Sequence, residues 1–261
     1  MIRALFAAAL IVVSLAGLES ARSGLRVETL TVGRTPVTSY ALPDADGPVV
    51  VVAHGFAGSR QMMQGYALPL ARAGYRVVVF DFLGHGRNPL PMSGDVTRVD
   101  GTTRLLMDQT AQVIDAVQDG GPVALVGHSM ATDVLARLAA ERDDIGPVVL
   151  ISAFSEVIDA ATPETLLLVT GAWEAGLRGF ALDAVHMIAP DAGEDQTVTD
   201  GPVTRRAQVA PFAEHVSVLH SRAGRAAAVD WLDRAYGRGS PVRILPSGWA
   251  IMGLLGGLVL A

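Results

Sequence analysis

The sequence predicts an α/β fold, with a mostly parallel central sheet and helices on both faces. Runs such as Val49-Val50-Val51-Val52-Ala53 are apolar without alternation, as expected of strands buried on both sides. Along the chain they take turns with stretches whose apolar residues recur at helical spacing, and each run closes in a loop that usually carries glycine.

The elements follow in order. Leu25–Thr31 and Pro36–Ala41 alternate and are split by Gly33-Arg34, which predicts an opening antiparallel hairpin. Pro43 to Gly47 makes a turn into the buried strand Val49–Ala53. A helical stretch, Gln61–Ala73, precedes a second buried strand, Tyr75–Phe80. Asp100–Gln118 places Leu105, Leu106, Val113, Ile114 and Val117 at helical spacing and stops at Gly120-Gly121-Pro122. Val123–Val126, a helix over Thr132–Glu141, and short strands at Pro147–Ile151 and Thr165–Thr170 come next. Arg205–Pro211 is read as the last strand and Ala223–Tyr236 as the last helix of a single domain over residues 25–240.

Composition narrows the function. Of 261 residues 50% are hydrophobic and only 18% charged, and the formal net charge is −6. No basic face interleaved with aromatics is available for nucleic acid. The chain has no cysteine, which removes disulfides, thiol nucleophiles and thiolate metal sites. No histidine and carboxylate spacing suggests a metal, and no cofactor is expected. Gly55-Phe56-Ala57-Gly58-Ser59-Arg60 lacks the phosphate-binding lysine of a P-loop, and Gly84-His85-Gly86-Arg87-Asn88-Pro89 lacks the third glycine of a dinucleotide fingerprint.

The two ends are apolar. Ala4–Leu18 is uncharged, follows Arg3 and precedes Glu19, so residues 1–21 read as an export signal or an N-terminal membrane anchor. Ser14-Leu15-Ala16 could serve as a cleavage site. Fifteen residues fall short of the roughly twenty needed to cross a bilayer, unless Gly17 to Ala21 extend the helix. The alternative is a buried helix of the domain. Residues 248–261 are expected to be the start of a C-terminal transmembrane helix, interrupted so that the sequence is a piece of a longer membrane protein, with Trp249 at the interface; a helix packed on the domain is the alternative. Arg3 places the domain outside the cytoplasm, although Arg22 and Arg26 count the other way.

Three motifs carry chemistry. Gly127-His128-Ser129-Met130-Ala131 lies between a strand and a helix, where a tight turn lifts a serine hydroxyl above the sheet and frees the next N–H for a developing oxyanion. His54-Gly55-Phe56-Ala57-Gly58 follows the first buried strand, and Asp81-Phe82-Leu83-Gly84-His85-Gly86 follows the second. In this order and spacing the motifs resemble the α/β-hydrolase fold family over roughly Leu25 to Tyr236, and more narrowly its capless dienelactone-hydrolase-like and esterase-like members. Ala131 stands where the commonest form has glycine.

The resemblance implies a serine hydrolase that cleaves an ester, thioester or amide through an acyl-enzyme on Ser129. Its order, serine then acid then histidine, puts Glu174 in the acid's place after Leu166–Thr170, with Glu156 as the alternate. His215, in the loop before a Trp231-Leu232 helix, takes the base's place, with His220 as the alternate. The N–H groups of Phe56 and Met130 form the oxyanion hole. His54, His85 and Asp81 shape their loops, and His128 is a spacer pointing away. Val216, Val218 and Leu219 are read as packing residues. Some of Phe82, Leu83, Met130, Trp173 and Met187 are expected to line the pocket. Only about fourteen residues separate the strands where a cap is usually inserted, so an open site is expected. The expected partners are a small-molecule or lipid-like acyl substrate and the membrane. A catalytically silent membrane scaffold and a cofactor-free haloperoxidase-like enzyme are the competing readings.

Overall fold

The computed structural model describes residues 2–96, 98–242 and 244–260. Nine strands form one sheet: β1 Arg26–Val32, β2 Thr35–Ala41, β3 Val49–Ala53, β4 Arg76–Phe80, β5 Val123–His128, β6 Ile145–Ile151, β7 Thr165–Gly171, β8 Thr197–Asp200 and β9 Val203–Ala210. Their spatial order is β1-β2-β4-β3-β5-β6-β7-β9-β8. From β4 to β9 all pairings are parallel, and β1, β2 and β8 run antiparallel to their neighbours. The expected opening hairpin is present. The edge strand β8 was not expected, because Thr197-Val198-Thr199-Asp200 is short and polar and is held by pairing with β9.

The helices are α1 Ile2–Arg22, α2 Gln64–Arg72, α3 Arg104–Val117, α4 Met130–Glu141, α5 Ala175–His186, α6 Arg222–Ala235 and α7 Trp249–Leu260. Period-two geometry divides each buried strand between two cores. Val49, Val51 and Ala53 of β3, with Val123 and Leu125 of β5, meet α3, α4 and α5. Val50 and Val52, with Ala124 and Val126, meet α2 and α6. Continuous valine in β3 is therefore a requirement of two-sided burial.

Chain order reverses at β3, since β4 lies on one side of it and β5 on the other. The carboxyl ends of β3 and β5 therefore flank the switch in strand order, the place where such folds bind ligands. Residues 152–164, between β6 and β7, hold turns and no helix.

α1 and α7 pair with each other beside this core, which the end of α1 touches through Ala21. α1 spans 21 residues, so Gly17 to Ala21 do extend the expected helix, and its length of about 31 Å at 1.5 Å per residue matches a hydrocarbon layer of about 30 Å. The reading of α1 as a buried domain helix is overturned: its only buried residues are Ala7 and Ser14, which face α7. The Ser14 hydroxyl donates to the Trp249 carbonyl, Gly17 lies under the Trp249 ring, and Gly256 packs on Ala7 and Leu10.

Candidate active site

The site sits where β3, β5, β7 and β9 end. β5 runs into Ser129, whose φ of 52° and ψ of −118° lie outside the regions open to most residues. The turn is held by the Ser129 N–H donating to the Ile151 carbonyl (2.9 Å) and by the Thr132 hydroxyl donating to the Ser129 carbonyl (2.6 Å). Gly127 lies close beneath α4, where a Cβ would press on the Leu135 side chain and the Ala131 methyl. Ala131 is fully buried there, so alanine fits the close approach of α4. Gly55 is constrained in the same way, because a Cβ on it would collide with His128 and with the Ser129 side chain. The loop after β3 thus rests directly on the serine.

Three remote side chains converge. His215 Nε2 lies 2.8 Å from Ser129 Oγ, and its Nδ1 lies 2.7 Å from Glu174 Oε1. The second carboxylate oxygen of Glu174 accepts from the Ser152 hydroxyl (2.7 Å) and from the Gly171 N–H (2.6 Å). One oxygen is thereby fixed by the protein frame and the other is left for the imidazole. Among the described residues the N–H groups of Phe56 and Met130 have no hydrogen-bond partner, at the end of β3 and the start of α4.

The alternates lie elsewhere. Glu156 is exposed on the loop after β6, with no bond to His215. His220 is turned away, its Nδ1 3.2 Å from the Ser247 hydroxyl. Val218 and Leu219 are buried as expected, but Val216 is exposed, because the backbone tightens into a short 3-10 turn just after it.

His128 also departs from expectation. Its side chain is buried, and Nε2–H donates to the carbonyl of His215 (2.8 Å), with the two rings 5.0 Å apart. Burial lowers its pKa to about 4, so the ring is neutral. It fixes the backbone that carries His215. His54 behaves similarly: Nδ1–H donates to the Gly55 carbonyl (2.7 Å) and Nε2 accepts from the Phe82 N–H (3.1 Å), a pattern only the neutral ring satisfies. Burial takes its pKa to about 4 as well. Asp81 ties the loops together, accepting from the N–H groups of Arg60 (2.8 Å) and Arg87 (2.9 Å) while paired with the Arg60 guanidinium. His85 donates to the Leu83 carbonyl.

Of the expected pocket residues, Phe82 belongs to the core and is fully buried, packed edge-on against Phe80. Leu83 and Met130 are half-buried, and Trp173 and Met187 are exposed. Ser152 was missed. Its hint in the sequence is a hydroxyl closing an apolar strand at the level where β5 presents Ser129.

The chain belongs to the α/β-hydrolase fold family: the family model matches residues 48–181, just over half of its length. Among curated proteins it is similar to RutD of Variovorax paradoxus (strain S110), named for carbamate hydrolysis, with 29% identity over 113 residues. That match covers 43% of this chain and spans only 40% of the relative's length. Among solved structures, a CIB-like hydrolase from Thermoplasma acidophilum superposes with a TM-score of 0.62 at 16% identity, covering 80% of this chain and 98% of that one. Dienelactone hydrolase from Anabaena variabilis gives 0.59 at 19%, covering 81% and 97%. A bacterial membrane phospholipase A gives 0.58 at 14%, covering 87% and 93%. At such identities these likenesses speak to the fold.

Proposed function

We propose that this protein is a serine hydrolase that cleaves a carboxylic ester, thioester or amide through an acyl-enzyme on Ser129. The observation that carries the reading is His215 bridging the Ser129 hydroxyl and the Glu174 carboxylate. His215 takes the serine proton as Oγ attacks the acyl carbonyl, and Glu174 steadies the imidazolium. The Phe56 and Met130 N–H groups receive the oxyanion, each such donor typically contributing about 10²–10³ in rate. His215 then protonates the leaving group. Water, activated by the same imidazole, releases the acid.

The loops at this edge carry exposed Phe56, Phe154, Trp173 and Phe212. Apolar rims of this kind suit bulky, lipid-like acyl groups. α1, with a mean hydropathy of 2.0 and large residues facing outward, supports anchoring in a membrane. The domain then lies on the extracytoplasmic side. Because the chain lacks cysteine, a single Glu28→Cys reporter gives an unambiguous answer: a membrane-impermeant maleimide added to intact cells labels it if the domain is outside, and labels it only after lysis if the orientation is reversed.

Fluorophosphonate labelling tests the chemistry. The folded protein should react, and Ser129→Ala and His215→Ala should not. Folded wild-type protein that stays unlabelled would favour the silent scaffold instead.

A further inference from the structure

Where α1 ends and α7 begins lies a half-open cavity of about 270 Å³, close to the lower end of the roughly 300–1,000 Å³ typical of small-molecule sites. Leu18, Leu68, Leu219, Leu245 and Trp249 make its walls largely apolar. Two of its walls are extensions of the candidate active site. Gln61 and Met62 follow the Phe56 loop, and Leu219 and His220 follow His215.

The lining holds two guanidiniums, Arg72 and Arg225, and no carboxylate. Arg225 is 4% exposed and donates only to carbonyls, those of Ser221 (3.1 Å), Leu245 (2.9 Å) and His220 (3.2 Å). Arg72 donates to the carbonyls of Ser20, Ala21 and Ser23 at the end of α1, and its Nε–H is buried without a partner among the described residues. Burial pushes the Arg225 pKa down, and Arg222 adds to that. Arg225 is buried and Arg72 half-buried, its outer nitrogen reaching solvent beside α1. Carbonyl dipoles offset a cation only in part, so the largely apolar lining carries one buried and one half-buried positive charge with no carboxylate among the lining residues.

We propose that this cavity binds a long-chain anionic amphiphile, with its chain among the leucines and its carboxylate or phosphate head toward Arg72 and Arg225. The source of the ligand rests on the reading of α1 and α7 as bilayer helices, which open the cavity to lipid. A fatty carboxylate is also what the proposed reaction would release from a long-chain ester.

The test uses the full chain in nanodiscs of neutral phosphatidylcholine. Three diazirine photoprobes are compared: palmitate, its methyl ester and a phosphatidylglycerol. Labelling at residues 61–72 and 245–251, mapped by mass spectrometry, should favour a charged probe over the methyl ester by about tenfold, the equivalent of one charge-assisted hydrogen bond. Preference for palmitate assigns a carboxylate head, and preference for phosphatidylglycerol a phosphate head. Met62→Trp, which fills the cavity, and Arg72→Gln should each reduce the labelling. Equal labelling by the methyl ester, labelling confined to the outer faces of α1 and α7, or labelling unmoved by Met62→Trp overturns the proposal. Ser129→Ala, run in parallel, should retain labelling and lose ester hydrolysis. Charge-selective labelling by a wild-type protein that hydrolyses nothing would therefore sink the hydrolase reading and leave the cavity site standing.

Discussion

The sheet and the α1/α7 pair are equally apolar and opposite in construction. In the sheet, Val126, Leu150 and Leu168 are fully buried and polar atoms gather at the strand ends. In the pair, small residues meet at the interface, Ser14 against Gly253 and Ala7 against Gly256, with Gly17 making room for the Trp249 ring, while Leu5, Val12, Leu15 and Leu254 stand 60–65% exposed. A water-soluble helix pair places its large side chains in the seam. Small residues in the seam with large ones outside is the arrangement that the proposed membrane anchoring asks for. High apolar content therefore has two meanings in one chain, and burial separates them.

Perturbations can break or sharpen this contrast. The largest effect is expected at the sheet edge: Ser129→Ala should lower p-nitrophenyl ester turnover by about 10⁴-fold or more while thermal melting stays near that of wild type. Residual turnover within about tenfold of wild type would mean that the serine is idle. Next is the core, where Leu150→Ala should cost about 2–5 kcal/mol in denaturant midpoints. Acid should act there too. His54 and His128, both held neutral with pKa about 4, take up protons more readily when unfolded, near 6.5. Their stabilisation is therefore present above about pH 6.5 and lost as pH falls toward 4, by at most about 3 kcal/mol each. Melting curves between those limits should slope downward, and a flat profile would contradict the neutral-ring assignment.

A smaller effect is expected at the link between the two histidines. His128→Phe keeps the bulk but removes the donor to His215, and it should lower kcat about tenfold with KM little changed. A change in KM alone would argue against positioning. The smallest belongs to the helix pair: Leu15→Ala, at a site 60% exposed, should shift domain stability by less than about 0.5 kcal/mol. A core-sized loss there would erase the contrast between the two regions.

The sequence was most legible where one physical demand acts on consecutive residues. Two-sided burial wrote β3, residues 77–80 of β4 and residues 166–169 of β7 as unbroken apolar runs, and the turn after β5 left its glycine-serine pattern. The order of serine, acid and histidine that the resemblance implies put Ser129, Glu174 and His215 in those roles, and the structure brings these three together. Elements defined by partners rather than by local pattern were missed. β8 exists through its pairing with β9, and α5 has small residues and no strong apolar stripe. Ser152 meets Glu174 only after β6 and β7 are laid side by side, and His128 meets the His215 carbonyl across 87 positions of chain. One sequence shows at most the hydroxyl that closes β6, and not the partner it meets.

The joint between α1 and β1 is only three residues, Ser23, Gly24 and Leu25, and three residues reach at most about 10 Å. With α7 returning to the flank of the same helix, the domain is moored at two points and cannot swing on a long leash. If that mooring lies in lipid, the enzyme grazes within a fixed radius, meeting molecules that diffuse past it in the plane far more often than those arriving from bulk water.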